Sequence, residues 1–356
     1  MKKQAPQLPL LPAFNKFIAA SSTGRRKTPS GKRISKGTIQ NYCNAYRLLA
    51  AFQSGSGLPL RILLLHRCSL RVLQQEKNYW QRFYRRFSSF LYTQNGYCDN
   101  YTGNIFKSLK TFFNYLQNEK GLATGNYHRQ FRTPLQQPLP VVLSPQQLNF
   151  LITCKTFEAT LPPSLKRTKD ILVTGCTIGL RVNDLMHLRK TNILYTAAGA
   201  ALKTNIHKTN TETLIPLPPY VVDIIKKYKR KPGPYLLPQL SVTNLNLQLK
   251  QLAEKAGWIY PLPKYRSIGG YLKELKKEGG RTWRFHEHIT AHTMRRTAIT
   301  TLLILGVPEM VVRKISGHAP NSKEFYRYVS IAQDYMDATV KKAYEILLGQ
   351  PLAATK

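Results

Sequence analysis

Apolar positions recur every three to four residues along much of this chain, which predicts a mainly helical protein. Leu11, Phe14, Phe17 and Ile18 mark a helix over residues 10–20, with Pro12 tolerated near its first turn. Ile39, Tyr42, Tyr46, Leu49 and Phe52 mark a second over 37–53, and 58–72 is an irregular apolar piece. Trp80, Phe83, Tyr84, Phe87, Phe90 and Leu91 then follow at helical spacing, with Arg82, Arg85 and Arg86 between them. That pattern reads as a core stripe with arginines outside; bases stacked on the rings are the alternative. Ile105, Leu109, Phe112, Phe113 and Leu116 give one more helix, capped at Thr102 and stopped at Gly121.

Periodicity then stops. Residues 121–143 carry Gly, Pro, Gln and Arg without a repeat and read as an interdomain linker. Ser144-Pro145-Gln146-Gln147 has the N-cap, first-turn proline and reciprocal Gln of a helix start, so a new domain begins there. A buried helix over 166–176 leads into Thr177-Ile178-Gly179-Leu180-Arg181-Val182-Asn183-Asp184-Leu185. Arg181 stands just past a glycine turn, free to face a ligand or to pair with Asp184. Residues 201–206 and 211–217 read as two strands of a hairpin with Lys208 at or near its tip. Helices follow over 220–228 and 242–256. Residues 264–289, with two Gly-Gly pairs and scattered aromatics, read as a strand-bearing insertion. The divisions predicted are a tail at 1–9, a helical module at 10–120, a linker at 121–143, a second domain at 144–335 and a C-terminal tail at 336–356.

Charge changes the picture most. Fifty-four Lys and Arg against 17 Asp and Glu leave a formal charge of +37 over 356 residues. Such an excess repels itself unless a polyanion is at hand, which points to nucleic acid. Residues 1–140 hold 22 of the bases and only three acids, Glu76, Asp99 and Glu119. The basic loop at 21–36 reads equally well as a solvated segment or as a phosphate contact. Five cysteines, with no C-x-x-C pair, read as reduced packing thiols of a cytoplasmic protein. No stretch approaches the roughly 20 apolar residues of a membrane span.

The candidate chemistry lies near the C-terminus. His292 and Arg295 in Ala291-His292-Thr293-Met294-Arg295-Arg296-Thr297 share a helix face. Gly306 stops that helix, Pro308 starts another, and Ile315-Ser316-Gly317-His318 ends it, with Val311, Val312 and Ile315 on its buried side. Asn321 and Glu324 resemble a capping box for a further helix bearing Phe325-Tyr326-Arg327-Tyr328-Val329. Taken singly, each His or Tyr is more often a packing residue. Together, two imidazoles, guanidiniums and a phenol at successive helix ends can converge on a small anion, a set suited to a phosphodiester without metal. No cofactor is called for, and no Asp/Glu cluster suits a two-metal site.

In that order Arg181, Lys208, His292, Arg295, His318 and Tyr328 resemble the tyrosine recombinases of the phage integrase family, and the steps of 23 positions from Arg295 to His318 and of ten from there to Tyr328 match that family. The segments "IGLRVNDL", "HTMRR" and "ISGH" carry the likeness, which is strongest to integrases of Bacteroidetes-type mobile elements. The resemblance implies an N-terminal helical SAM-like core-binding domain, followed by an α+β catalytic domain. It implies Tyr328 as nucleophile, in preference to Tyr326, and a 3′-phosphotyrosyl link. Arg181, Arg295 and His318 would hold the phosphate, His292 would help take the phenol proton, and Lys208 would protonate the leaving 5′-oxygen. Implied partners are double-stranded DNA, a homotetramer on paired sites and accessory DNA-bending proteins, with a nucleoid-associated location. The C-terminal tail would pack on its own domain or on a neighbouring protomer. A type IB topoisomerase and a non-enzymatic DNA-binding derivative are the rival readings.

Overall fold

The computed structural model describes residues 6–66, 68–136, 139–197, 199–206, 211–319 and 321–347. The protein is mainly α with a small β component. It forms two compact units: one comprises 1–138 with Tyr265–Leu275, the other Leu139–Lys264 with Lys276–Lys356.

The first unit begins with strand β1 (Gln7–Pro9) and helices α1 (Leu10–Ser22) and α2 (Lys36–Ser56). Ser35 caps α2 by accepting from the Thr38 amide, and Gly57, at φ 62°, ends it in the left-handed conformation that a side chain would strain. Strand β2 (Arg61–Leu63) pairs antiparallel with β1, Leu8 opposite Ile62. Helices α3 (Leu70–Ser89) and α4 (Asp99–Asn114) each run on into a π-helical turn. Trp80, Phe83 and Phe87 of α3 are buried, so the ring stripe serves packing, with Phe83 and Phe87 stacked at 5.4 Å. Each such ring, fully buried, contributes about 1.5–3 kcal/mol of hydrophobic stabilisation.

Two boundaries differ from the sequence expectation. Helix α4 starts at Asp99, and Thr102 lies buried inside it instead of capping it. An acid in the first turn suits the positive end of the helix dipole, a signal the apolar period does not carry. The stretch after Gly121 is not loose throughout. Phe131 is buried in the first unit's core, and His128 stacks on Phe113 at 5.1 Å and hydrogen-bonds Asn114 at 2.9 Å. Single aromatic anchors fill holes in a core without imposing any repeat.

The second unit opens with α5 (Pro145–Thr153), whose Ser144–Gln147 capping box forms as the motif predicts. Helices α6 (Lys155–Thr160), α7 (Pro163–Ile178) and α8 (Val182–Met186) follow. Strands β3 (Ile193–Thr196), β4 (Gly199–Ile206) and β5 (Thr211–Pro216) make an antiparallel sheet in that order, with Lys203 opposite Leu214. The expected hairpin is thus joined by a further strand, β3, whose mostly exposed residues give no apolar alternation. Next come α9 (Pro219–Lys229) and α10 (Val242–Lys255). Strands β6 (Lys264–Ile268) and β7 (Tyr271–Leu275) form the insertion's hairpin. Helices α11 (Phe285–His288), α12 (Ala291–Ile304), α13 (Glu309–Ser316) and α14 (Lys323–Leu347) complete the unit. The described part of the expected tail continues α14 without a break. Helix α12 crosses α7 closely because position 175 is glycine: a Cβ there would sit 2.6 Å from Met294 Sδ and 3.0 Å from Leu185 Cδ2. No helix among the described residues is long and apolar enough to cross a membrane.

His128 gives the first unit a defined response to acid. Burial, then Arg129 and Lys110, push its pKa down to about 4 from the ordinary 6.5. The unfolded chain therefore binds a proton near pH 6.5 that the folded ring refuses until about pH 4, and stability falls as pH drops through that window. We expect a loss of up to about 3 kcal/mol. Amide exchange of α4 at pH 7 and pH 4.5 measures it, and His128→Gln should flatten the difference; an unchanged pH slope in that variant would show the loss to arise elsewhere.

Candidate active site

All the described members of the candidate site lie in the second unit. Helix α7 ends at Gly179, φ 73°, whose amide donates to the Gly175 carbonyl. The left-handed turn swings the chain so that Arg181, in extended conformation, immediately precedes α8. Its Nη1 is buried without a hydrogen-bond partner. The pairing with Asp184 that the sequence left open does not form, and among the described residues no carboxylate makes an ion pair with Arg181 or Arg295.

Thr290 and Thr293 form the capping box of α12, which sets His292 and Arg295 on its first turns. Arg295 is 2% exposed. Its Nη1 donates to the Gly179 carbonyl at 3.0 Å, and its Nη2 lies 3.3 Å from both ring nitrogens of His318. Gly317, φ 61°, closes α13 in the left-handed conformation and turns His318 inward. Ser316 Oγ lies 2.8 Å from His318 Nδ1 and fixes the ring. The His318 ring lies 5.9 Å from that of Tyr328 and 5.4 Å from that of Phe325.

Burial separates the two tyrosines of α14. Tyr328 is 2% exposed and faces the cluster, whereas Tyr326 is 55% exposed with Arg313 over its ring at 4.9 Å. Phe325, Tyr328 and Ala332 share the buried side of α14, and Val312 the buried side of α13, where Val311 turns outward against expectation. Lys208 lies outside the described residues; β4 and β5 flank it.

The charges interact as a group. Burial first, then Arg181, push the Arg295 guanidinium down to about 10. Burial, then Arg295 and Arg181, push His318 down to about 3. His292, though exposed at the surface, is held below its usual value by dehydration of its ring and then by Arg296 and Arg295. Burial and Glu324 raise the Tyr328 phenol, while Arg296, which hydrogen-bonds it, and Arg295 oppose the rise. The structure thus brings Arg181, His292, Arg295, His318 and Tyr328 to one place. Sequence reasoning missed the Gly179 carbonyl, Ser316, Arg296 and Glu324. Ser316 and Arg296 stood beside motif residues, but a backbone acceptor leaves no side-chain signal at all.

Fold and cluster together define a tyrosine recombinase. Residues 143–334, more than half of the chain, match the phage integrase family, and the chain belongs to that family. It is 26% identical over 236 residues to a tyrosine recombinase of Thermosipho africanus, covering 66% of this chain and 73% of the relative. It is 24% identical over 303 residues to the tyrosine recombinase XerD of Vibrio vulnificus, covering 82% and 92%. Among solved structures, the XerH site-specific recombinase bound to its difH substrate superposes with a TM-score of 0.59 at 14% identity, covering 92% of this chain and 95% of that one. A lambda integrase (residues 75–356) dimer bound to a COC′ core site gives 0.58 at 15% identity, covering 90% and 95%. These two likenesses establish the fold.

The cationic surroundings of His318 predict its titration. In the DNA-free protein its ring should stay neutral to well below pH 5, and adding vanadate or inorganic phosphate should raise its pKa by offsetting Arg181 and Arg295. Imidazole NMR reads both. A ring that titrates near 6.5 and ignores the anion would show that the guanidiniums do not face it.

Proposed function

We propose that this protein cuts and rejoins DNA strands at specific sites through a covalent phosphotyrosine at Tyr328. The observation that carries the assignment is a buried Tyr328 phenol beside His318 and Arg295, with Arg181 acting on Arg295 and no carboxylate ion-paired to either guanidinium among the described residues. Family membership supports the same reading.

In the reaction, Tyr328 Oη bonds to the scissile phosphorus as the bond from phosphorus to the 5′-oxygen breaks. The product is a 3′-phosphotyrosyl link and a free 5′-hydroxyl. The phenol proton leaves by way of His292, and Lys208 supplies one to the departing oxygen. Arg181 and Arg295 present fixed donor forks to the non-bridging oxygens, where charge accumulates in the five-coordinate transition state. His318, positioned by Ser316, donates to the same oxygens. Because the link conserves the phosphodiester's energy, the 5′-hydroxyl of another strand reverses the step without ATP. Exchange between two duplexes needs four cleavages, hence four protomers on paired sites, with accessory DNA-bending proteins assisting assembly. A mobile element or phage genome is the substrate.

On a nicked suicide substrate, Tyr328→Phe should abolish the covalent adduct while DNA binding persists, and Tyr326→Phe should still crosslink. The reverse pattern would move the nucleophile to Tyr326. Arg181→Ala and Arg295→Ala should each slow cleavage by at least about 10²-fold with far smaller losses in binding. Equal losses in both would make them phosphate anchors alone. Supercoil relaxation by isolated monomers would favour the topoisomerase reading.

A further inference from the structure

Asp99 opens α4, yet its carboxylate serves a segment 168 to 171 residues further along the chain. It is 3% exposed and accepts from the Gly269 amide at 2.9 Å, the Gly270 amide at 3.1 Å and the Ser267 hydroxyl. Gly269 and Gly270, φ 63° and 87°, are the two central residues of the turn between β6 and β7. Two successive positive φ values give the tight hairpin turn that only glycine adopts freely, and such a turn aims its amides outward as an anion cradle. A second clasp lies beside the first. The Ser267 amide donates to Gln136 Oε1 at 2.7 Å, and Gln136 is itself held at both backbone groups by Asn100, at 2.6 and 2.8 Å.

An isolated two-stranded ribbon is marginal in water, and the first two residues after the turn, Tyr271 and Leu272, are 77% and 63% exposed, so the turn itself is not anchored by apolar burial. Burial alone would raise the Asp99 carboxyl, but its hydrogen bonds from Ser267, Tyr92, Gly270 and Gly269 hold it below the ordinary range, as expected of an acceptor kept ionised.

We propose that Asp99 is a latch that fastens the hairpin turn into the N-terminal module, so that this module is completed by a segment encoded beyond α10. The hairpin is then a second fastening of the chain to its first unit, additional to the connection at residues 138–139.

The test uses the full chain with a protease recognition sequence inserted between Pro138 and Leu139. After cleavage the two fragments should co-elute, because the C-terminal one carries the hairpin that the N-terminal one holds. The Gly269 and Gly270 amides should exchange at least about 100-fold slower than in an unstructured chain. Asp99→Ala should abolish that protection and let the fragments part. Ser267→Ala, which leaves the carboxylate in place, should weaken both effects partway and keeps the test decisive if Asp99→Ala fails to fold. Fragments that separate in the otherwise unaltered protein, or amides that remain protected in Asp99→Ala, would overturn the latch. Neither readout uses DNA or cleavage, so the recombinase assignment stands or falls apart from this result.

Discussion

The second unit is built around a buried guanidinium, Arg295, that makes no ion pair among the described residues and feels Glu324 and Asp184 only through space. Taking an ion out of water costs several kcal/mol unless its donors are satisfied. Arg295 recovers part of this through the Gly179 carbonyl and its contact with His318. The remaining cost of burial, with the repulsion of Arg181 added to it, is visible in the depressed pKa of Arg295. Only tight packing can hold such a group in place, and the close crossing of α7 and α12 at Gly175 provides it. A fold that spends stability on two facing cations is arranged for an anion that arrives from outside.

The same repulsion sets the protonation of its neighbours. Burial first, and the guanidiniums after it, favour the neutral form of His318 and His292, and a neutral imidazole is the form able to accept a proton. Tyr328 is held protonated by burial and by Glu324. In the proposed reaction the resting site therefore already contains the acid form of the nucleophile and the base form of its acceptor.

Motif residues set by local geometry were legible in the sequence. Gly179 with Arg181, the three-residue step from His292 to Arg295, and Gly317 with His318 are each fixed by one turn or one helix face. The two tyrosines of "FYRY" were also separable in principle: Phe325, Tyr328 and Ala332 follow the helical period of the buried side of α14, and Tyr326 does not. Strand β3 was not legible, since three of its four residues are exposed and no alternation marks it. Phe131 was missed because one anchoring ring has no period. The long-range bond between Asp99 and the hairpin left only a Gly-Gly pair and a lone acid as traces, and nothing in either says which partner it has.

The scarcity of acid in the first 138 residues acquires a structural sense once the three carboxylates are placed. Glu76, 1% exposed, accepts from the Trp80 indole at 2.9 Å and pairs with Arg61 at 2.5 Å. Glu119 pairs with Arg26 at 2.9 Å, and Arg26 in turn lies over the Phe17 ring at 4.9 Å. Asp99 is taken by the hairpin amides and by Ser267. Every acid of this segment is thus engaged in holding the fold, so its negative charge is compensated within it. The described lysines and arginines of this segment that no acid pairs with are mostly exposed, so its surface charge is strongly positive. A phosphate backbone meeting that surface gains by releasing its counterions, a contribution that is independent of base sequence and steeply weakened by salt. Affinity for DNA in general and, in the proposed reaction, chemistry at one phosphodiester then fall to different parts of the chain, the first to an exposed basic surface and the second to a half-buried Arg181 and a buried Arg295.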